Sequence, residues 1–503
     1  VDTLQHHIKK GIICLVALLL ITAATGCTYL GHFKELTAPS VSDATKDTTP
    51  PPAQALYHYL VARIKVREGN TEGAMSEYQK AIAADSHSPL LYVDLASLYL
   101  SKNKFQEAMA ACRDALILDP DYGDAHYLLG TIYAAVGNQR EALSEYQEVV
   151  KINPENQQAY LMIGSLYADL RDYERAIDIL HQLLAKQPTN LMGLYYLARI
   201  YAETKLYDKA LTYYQEVIKL NPQFETALMD MATVYELKGD RTRAIELYKE
   251  ILEQNALNFR ARERLGQLFI KENRLPEALE QYTIFKNLDS QNLSVRVKLG
   301  LILFQQERFE EAAQEFRFVL TSQPRKGDIR YYLGITLYQM KNIKEALAEF
   351  RQIPRDDEFY TEAIKYMAYI LQKEERPQEA LTLVQKAIEA KPDDPQLLYT
   401  IALIYEDMER YPEAIQNLQA VVAKEPKSAE VFFRLGVVYY KMGKVEESIT
   451  TMRKVIALDP KNADALNHLG YTYAEQRMHL DEAENLIKKA LALKPDSGYI
   501  TDS

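Results

Sequence analysis

The sequence has 503 residues, a formal net charge of −11, 48% hydrophobic and 26% charged residues, 36 tyrosines and no tryptophan. An acidic chain repels phosphate backbones, which argues against nucleic acid as a partner. Its three cysteines, Cys14, Cys27 and Cys112, make no disulfide framework, and nine scattered histidines show no metal-ligand spacing.

The chain opens with a charged and then an apolar stretch. Lys9 and Lys10 precede a hydrophobic run from Gly11 to Ala24. That run is shorter than the roughly 20 residues a spanning helix needs and fits the core of a secretory signal. It ends Ala24-Thr25-Gly26-Cys27, which resembles the lipobox of bacterial lipoproteins, with Ala24 where that motif usually has leucine. The resemblance implies that residues 1–26 are a signal peptide and that Cys27 carries lipid after cleavage. Several acyl chains would hold the protein at a membrane, where one chain alone binds marginally. Thr28 follows the cysteine where an aspartate would stand for inner-membrane retention, so the resemblance implies an outer-membrane lipoprotein facing the periplasm.

Residues 27–54 are rich in Thr, Ser and Pro, with Pro50, Pro51 and Pro52 in a row. Such a stretch buries no core and reads as a flexible tether.

From Ala55 a period of 34 residues runs to Asn462. Twelve repeats begin at 55, 89, 123, 157, 191, 225, 259, 293, 327, 361, 395 and 429. A thirteenth begins at Ala463 with one extra residue near Met478-His479-Leu480, and a fourteenth starts at Gly498. The chain stops there, which reads as a truncated array.

Within the repeat, position 8 is always Gly or Ala, from Ala62 and Gly130 to Gly470. Position 20, expected opposite it, is Ala in the first eleven repeats and Ser448 in the twelfth. Position 11 is often Tyr, as in Tyr99 and Tyr133, although the first repeat has Lys65. Gly stands at position 15 in several repeats (Gly137, Gly239, Gly443), where a turn is expected, and Pro at position 32 stops the second helix (Pro120, Pro154, Pro460). Apolar residues at 4, 7, 8, 11 and at 20, 24, 27 have helical spacing, so each repeat predicts two antiparallel amphipathic helices. Pro354 shortens the second helix of the ninth repeat and marks either a bend between residues 55–353 and 361–503 or a local kink.

In length, order and chemistry these residues resemble the tetratricopeptide repeat. The resemblance implies an all-α solenoid of about thirteen helix pairs, a right-handed superhelix over residues 55–503, with the first helices lining a concave groove. Stacking is required because one pair cannot bury its apolar face alone. It also implies a protein that binds proteins or peptides.

In this fold positions 2, 5, 6, 9, 12 and 13 tend to face the groove. They carry an aromatic stripe that includes Tyr127, Tyr195, Tyr196, Tyr331, Tyr332, Tyr366, Tyr369, Tyr399 and Phe433. Tyrosine offers large area and a hydrogen-bonding tip, which suits recognition, and also packs. A basic group, Arg260, Arg264, Lys271 and Lys298, falls on groove positions of repeats 7 and 8 and suits a carboxylate, with Glu263 and Asp230 near enough to neutralise it. The Lys and Asn pair with which some members grip a peptide carboxylate is missing: Lys365 is the only lysine at position 5, and Tyr369 stands beside it at position 9.

Repeats fill residues 55–503 and no nucleotide-binding or nucleophile motif interrupts them. The expected function is therefore a non-catalytic scaffold or adaptor in the bacterial cell envelope, without cofactor or metal, binding periplasmic or envelope proteins. The alternatives are a component of a secretion, pilus or exopolysaccharide-export assembly, and a glycan-binding solenoid.

Overall fold

The structure is a computed structural model that describes residues 51–495 and 497–502. The signal segment, Cys27 and the tether as far as Pro50 lie outside the described residues. Among the described residues there are 27 helices. The first begins at Pro51, four residues before the repeat boundary, so Pro51–Gln54 are helical where a tether was expected. Proline is well tolerated there, because the first turn of a helix has no use for its missing N–H.

From the second repeat onward the pattern is regular. Helices Pro89–Ser101 and Phe105–Leu118 fill positions 1–13 and 17–30 of their repeat, and later first helices start where the 34-residue count puts them, at Gly123, Gln157, Leu191 and on to Ala463. The exception is repeat 10, whose first helix starts one residue early, at Tyr360.

The turn between paired helices has one requirement. Position 15 has a positive φ in all thirteen repeats, from Gly69 at 75° to Arg477 at 55°. Glycine takes it in four repeats and Asn, Arg, Lys or Glu in the other nine. The extra residue of repeat 13 is absorbed at the same turn, where His479 also adopts φ 50° before helix Leu480–Leu493 begins.

The packing of position 8 differs from expectation in its partner. A methyl group on Gly300 would come within 2.6 Å of the Phe316 ring, and one on Gly334 within 2.6 Å of Phe350. Where position 8 is glycine, the side chain a methyl would meet first is thus the one at position 24, while Ala62, Ala198 and Ala232 coexist with Tyr78, Tyr214 and Tyr248 there. Position 20 meets the backbone instead: the Ser448 hydroxyl donates to the Gly436 carbonyl at 2.8 Å, so the one hydroxyl in that series is satisfied.

A second device recurs at position 4. Arg296 donates to the Ser290 carbonyl in the preceding loop at 2.9 Å and to Glu315 on its partner helix at 2.7 Å. Arg330 does the same with Pro324 and Glu349, and His126 with Pro120 and Glu145. Each side chain thus ties an inter-repeat loop to a second helix.

The chain forms two compact units, one up to Ala159 and one from Tyr160. In the first, small clusters such as Ala96, Met109, Cys112, Leu129 and Ile132 form the core. In the second, one cluster runs without a break from Leu228 to Tyr439, and a further cluster closes around Leu466, Tyr473 and Ile500. Helix Ile343–Arg351 is the short one, at 9 residues against 14 for its counterparts. Pro354 lies just beyond it, and Phe350, Ile353, Ala363 and Ile364 carry the core across.

Candidate functional site on the first-helix face

Positions 5, 6, 12 and 13 of consecutive first helices touch one another in the second unit, so they share a face. The Tyr195 hydroxyl donates to Asp230 at 2.8 Å, Lys441 to Glu406 at 2.7 Å, and Lys298 to Glu263, each pair 35 residues apart. Arg434 reaches the same Glu406 at 3.3 Å from 28 residues away.

This face holds two aromatic groups of different character. Around Tyr195 the rings are closed in. Tyr195 is 3% exposed and Tyr196 9%, with Phe224 at 5.1 Å and Tyr214 at 6.2 Å from Tyr195. Burial, reinforced by Asp230, pushes the Tyr195 phenol far up, and burial likewise raises the Asp230 carboxyl, which Arg199 opposes. These two tyrosines, expected as groove contacts, are packing residues. The carboxylate and phenylalanine that cover Tyr195 come from the next repeat and the loop before it.

Around Tyr366 the rings are more open. Tyr331 and Tyr332 on helix Gly327–Gln339 stand 5.9 Å apart, and Tyr331 meets Tyr366 of helix Tyr360–Lys373 edge-on at 6.2 Å. Tyr366 in turn meets Tyr338 at 5.8 Å and Tyr369 at 5.9 Å. Phe359, in the loop after Pro354, packs against Tyr331 at 5.5 Å. Edge-to-face pairs at these distances hold ring orientations fixed. Tyr369 is 46% exposed. Tyr331, Glu362, Lys365, Tyr366 and Tyr369 line a recess of about 370 Å³. Burial and then Glu362 push the Tyr331 phenol up to about 12, so it stays a hydrogen-bond donor at neutral pH.

The remaining candidates are dispersed. Tyr127 is half-buried against Tyr146 at 5.4 Å in the first unit. Tyr399 is half-buried and donates to Glu430 at 3.4 Å, and Phe433 lies 6.4 Å from His468. The basic group is divided: Lys298 is bound to Glu263 and Arg264 lies 4.0 Å from Glu236, while Arg260 and Lys271 are exposed.

Phe359 and Phe350 complete the open cluster from outside the groove positions used to search the sequence, whereas Glu362 stands on one of them, position 2, and carries a charge opposite to the basic residues singled out there. Phe359 had a signal, since Phe224 stands at nearly the same place before its helix and also packs on a position-5 tyrosine.

Among the described residues no group of three or more His, Cys, Asp or Glu could hold a metal ion. No helix among them is long and apolar enough to cross a membrane. Cys112 is buried, which pushes its thiol up to about 12 and leaves it a poor nucleophile.

Profiles described as "Tetratricopeptide repeat" match residues 65–130, 100–166, 303–368 and 371–431, and another of the same description matches 161–223 and 229–287. One described as "TPR repeat" matches 439–476. No curated protein gives a match. Solved structures similar to parts of the chain include YrrB, "a TPR protein with an unusual peptide-binding site", at 22% identity over 37% of this chain and 95% of that one, TM-score 0.32. A tetratricopeptide repeat protein from Parabacteroides merdae matches at 18% identity over 57% and 99%, TM-score 0.37. The Cut9 and Hcn1 hetero-tetramer matches at 13% identity over 90% and 97%, TM-score 0.34.

Proposed function

We propose that this chain, which belongs to the tetratricopeptide-repeat family, is a non-catalytic scaffold that receives partner proteins or peptides on the first-helix face, at the tyrosine recess of repeats 9 and 10. The observation that carries the reading is Tyr369, a ring 46% exposed at the rim of an otherwise packed aromatic cluster. A large, oriented ring at a water-facing edge is the kind of group on which interfaces concentrate their energy. Tyr366 and Tyr338 hold it in place, so little ordering is left for binding to supply.

The reading also takes the chain as a lipid-anchored envelope protein, supported by Ala24-Thr25-Gly26-Cys27 after an apolar run. Cys27 would hold the lipid, and residues 28–50 would give the repeats room to reach partners away from the surface.

The test is capture from an envelope extract with the parent chain and a Tyr366→Ala/Tyr369→Ala variant. Defined proteins retained by the parent and lost by a variant of equal helix content support the scaffold. The same proteins on both move the contact surface elsewhere, and partners released by glycan digestion favour the glycan-binding alternative. For the anchor, Cys27→Ala moves the protein from the membrane to the soluble fraction; unchanged fractionation refutes lipidation at that residue.

A further inference from the structure

Beside the tyrosine recess lies a second opening, of about 620 Å³, between the loop after Pro354 and the loop that precedes helix Pro395–Asp407. Its lining holds five carboxylates, Glu358, Glu362, Asp393, Asp394 and Glu425, against the one lysine Lys391. Glu362 is common to both openings, so rings and carboxylates meet at that residue.

The carboxylates differ in how far the protein satisfies them. Asp393 is held by Lys424 at 2.6 Å, and Asp394 accepts from the Thr361 hydroxyl at 2.7 Å and from the backbone at the start of its own helix. Glu362 shares Lys365 with Gln396, at 2.9 and 3.2 Å. Glu358 and Glu425 are exposed and form no ion pair among the described residues. Negative charge is left over on this rim. The cations nearby are already engaged: Lys365 as described, and Lys391 over the Tyr360 ring at 5.2 Å. Tyrosine faces attract cations as well, and Lys373 stands 5.8 Å from the Tyr369 centroid.

We infer that the joined recess seats a cationic partner: an extended peptide segment that lays a Lys or Arg side chain along Tyr366 and Tyr369, with its charged head toward Glu362 and Glu358. The stem of such a side chain covers ring surface while the head reaches the carboxylates. An acidic segment meets surplus like charge instead. The inference rests on the scaffold reading and adds the chemistry of the partner.

Short fluorescent peptides of equal length, alternating Ala with Arg, with Glu or with Ser, test it against the full chain by anisotropy at low salt. The Arg peptide is expected to bind, and Tyr369→Ala and Glu362→Gln each to weaken it about tenfold. Glu484→Gln, which removes the same charge from an exposed site in repeat 13, is expected to leave it unchanged. Equal affinity for all three variants would mean attraction to the net charge alone, and the inference falls. Tighter binding of the Glu or Ser peptide that Tyr369→Ala abolishes keeps the tyrosine face as a binding surface and overturns the cationic partner. Failure of every peptide to bind also overturns the inference, while protein capture lost on Tyr366→Ala/Tyr369→Ala would still uphold the scaffold.

Discussion

Gly334→Ala puts a methyl group 2.6 Å from Cζ, 2.7 Å from Cε1 and 2.9 Å from Cδ1 of Phe350. Carbon atoms rest about 3.5–4.0 Å apart, so the ring must retreat by roughly 1 Å. Phe350 is 2% exposed, with Tyr331 at 5.8 Å and Tyr366 at 5.5 Å, and has no empty space to enter. Overpacking of this kind costs about 1–3 kcal/mol, and replacing a mid-helix glycine by alanine returns about 1 kcal/mol. The net expectation is a loss of about 1 kcal/mol. Repeats 10 and 11 pair Ala368 and Ala402 with the smaller Val384 and Leu418, and repeats 1, 5 and 6 seat Ala62, Ala198 and Ala232 with Tyr78, Tyr214 and Tyr248, so what opposes the methyl in repeat 9 is the placement of the Phe350 ring rather than ring size alone. In a Phe350→Leu background, Gly334→Ala should therefore stop costing stability and add about 1 kcal/mol through helix propensity. Because a repeat array need not unfold in one step, the assay is native-state hydrogen exchange at amides of residues 327–351 in the four proteins of the cycle. An equal cost of Gly334→Ala in both backgrounds would refute the claim that the Phe350 ring opposes the methyl.

Three further outcomes follow from the packing. Lys65, then His58 and Lys80, hold the buried Glu77 carboxyl down to about 2, so its contribution is complete above an unfolded value of about 4.3 and vanishes as pH falls to about 2. With allowance for water around its lysines that contribution is on the order of 2 kcal/mol, and exchange protection in helix Thr71–Ala84 should differ between parent and Glu77→Gln at pH 6, narrow below about pH 4 and converge only below about pH 2. Gly137→Ala meets no atom within 4 Å, so only its φ of 85° opposes it, at about 1 kcal/mol in denaturant unfolding; Lys205→Gly, at φ 62°, trades strain for chain entropy and should gain at most about 0.5 kcal/mol. His126→Ala strips Glu145 and the Pro120 carbonyl of their partner and should lower the melting temperature by about 1–2 kcal/mol equivalent, whereas His126→Arg, built like Arg296, should restore it.

The helix boundaries were legible because a 34-residue period with Gly or Ala at position 8 leaves little freedom in where a helix pair starts. The left-handed turn was only partly legible. Gly137 and Gly239 advertise it, while Lys205 and Glu307 adopt the same conformation with side chains that give no hint. The site was legible as a list of positions but not as a surface. Tyr195 and Tyr369 both fall on face positions, yet Asp230 and Phe224 cover the first, while the second stays 46% exposed with Tyr338, Tyr366 and Lys373 against it. Exposure depends on the next repeat, which a position count within one repeat does not see. The pairing within the basic group has the same origin, since Lys298 finds Glu263 one repeat back.

The short second helix of repeat 9 has a mechanical consequence. Consecutive repeats in the second unit behave as springs in series, and in such a row the softest joint takes most of any bending. Helix Ile343–Arg351 offers its successor 9 residues of support where its counterparts offer 14, so strain applied along residues 160–502 gathers between Gln352 and Phe359. Phe359 also packs at 5.5 Å on Tyr331, one wall of the tyrosine recess. Tension on the repeats and the shape of the recess are thereby geared to each other: a pull that opens this joint withdraws the ring behind Tyr331, and an occupant wedged against Tyr331 stiffens the joint.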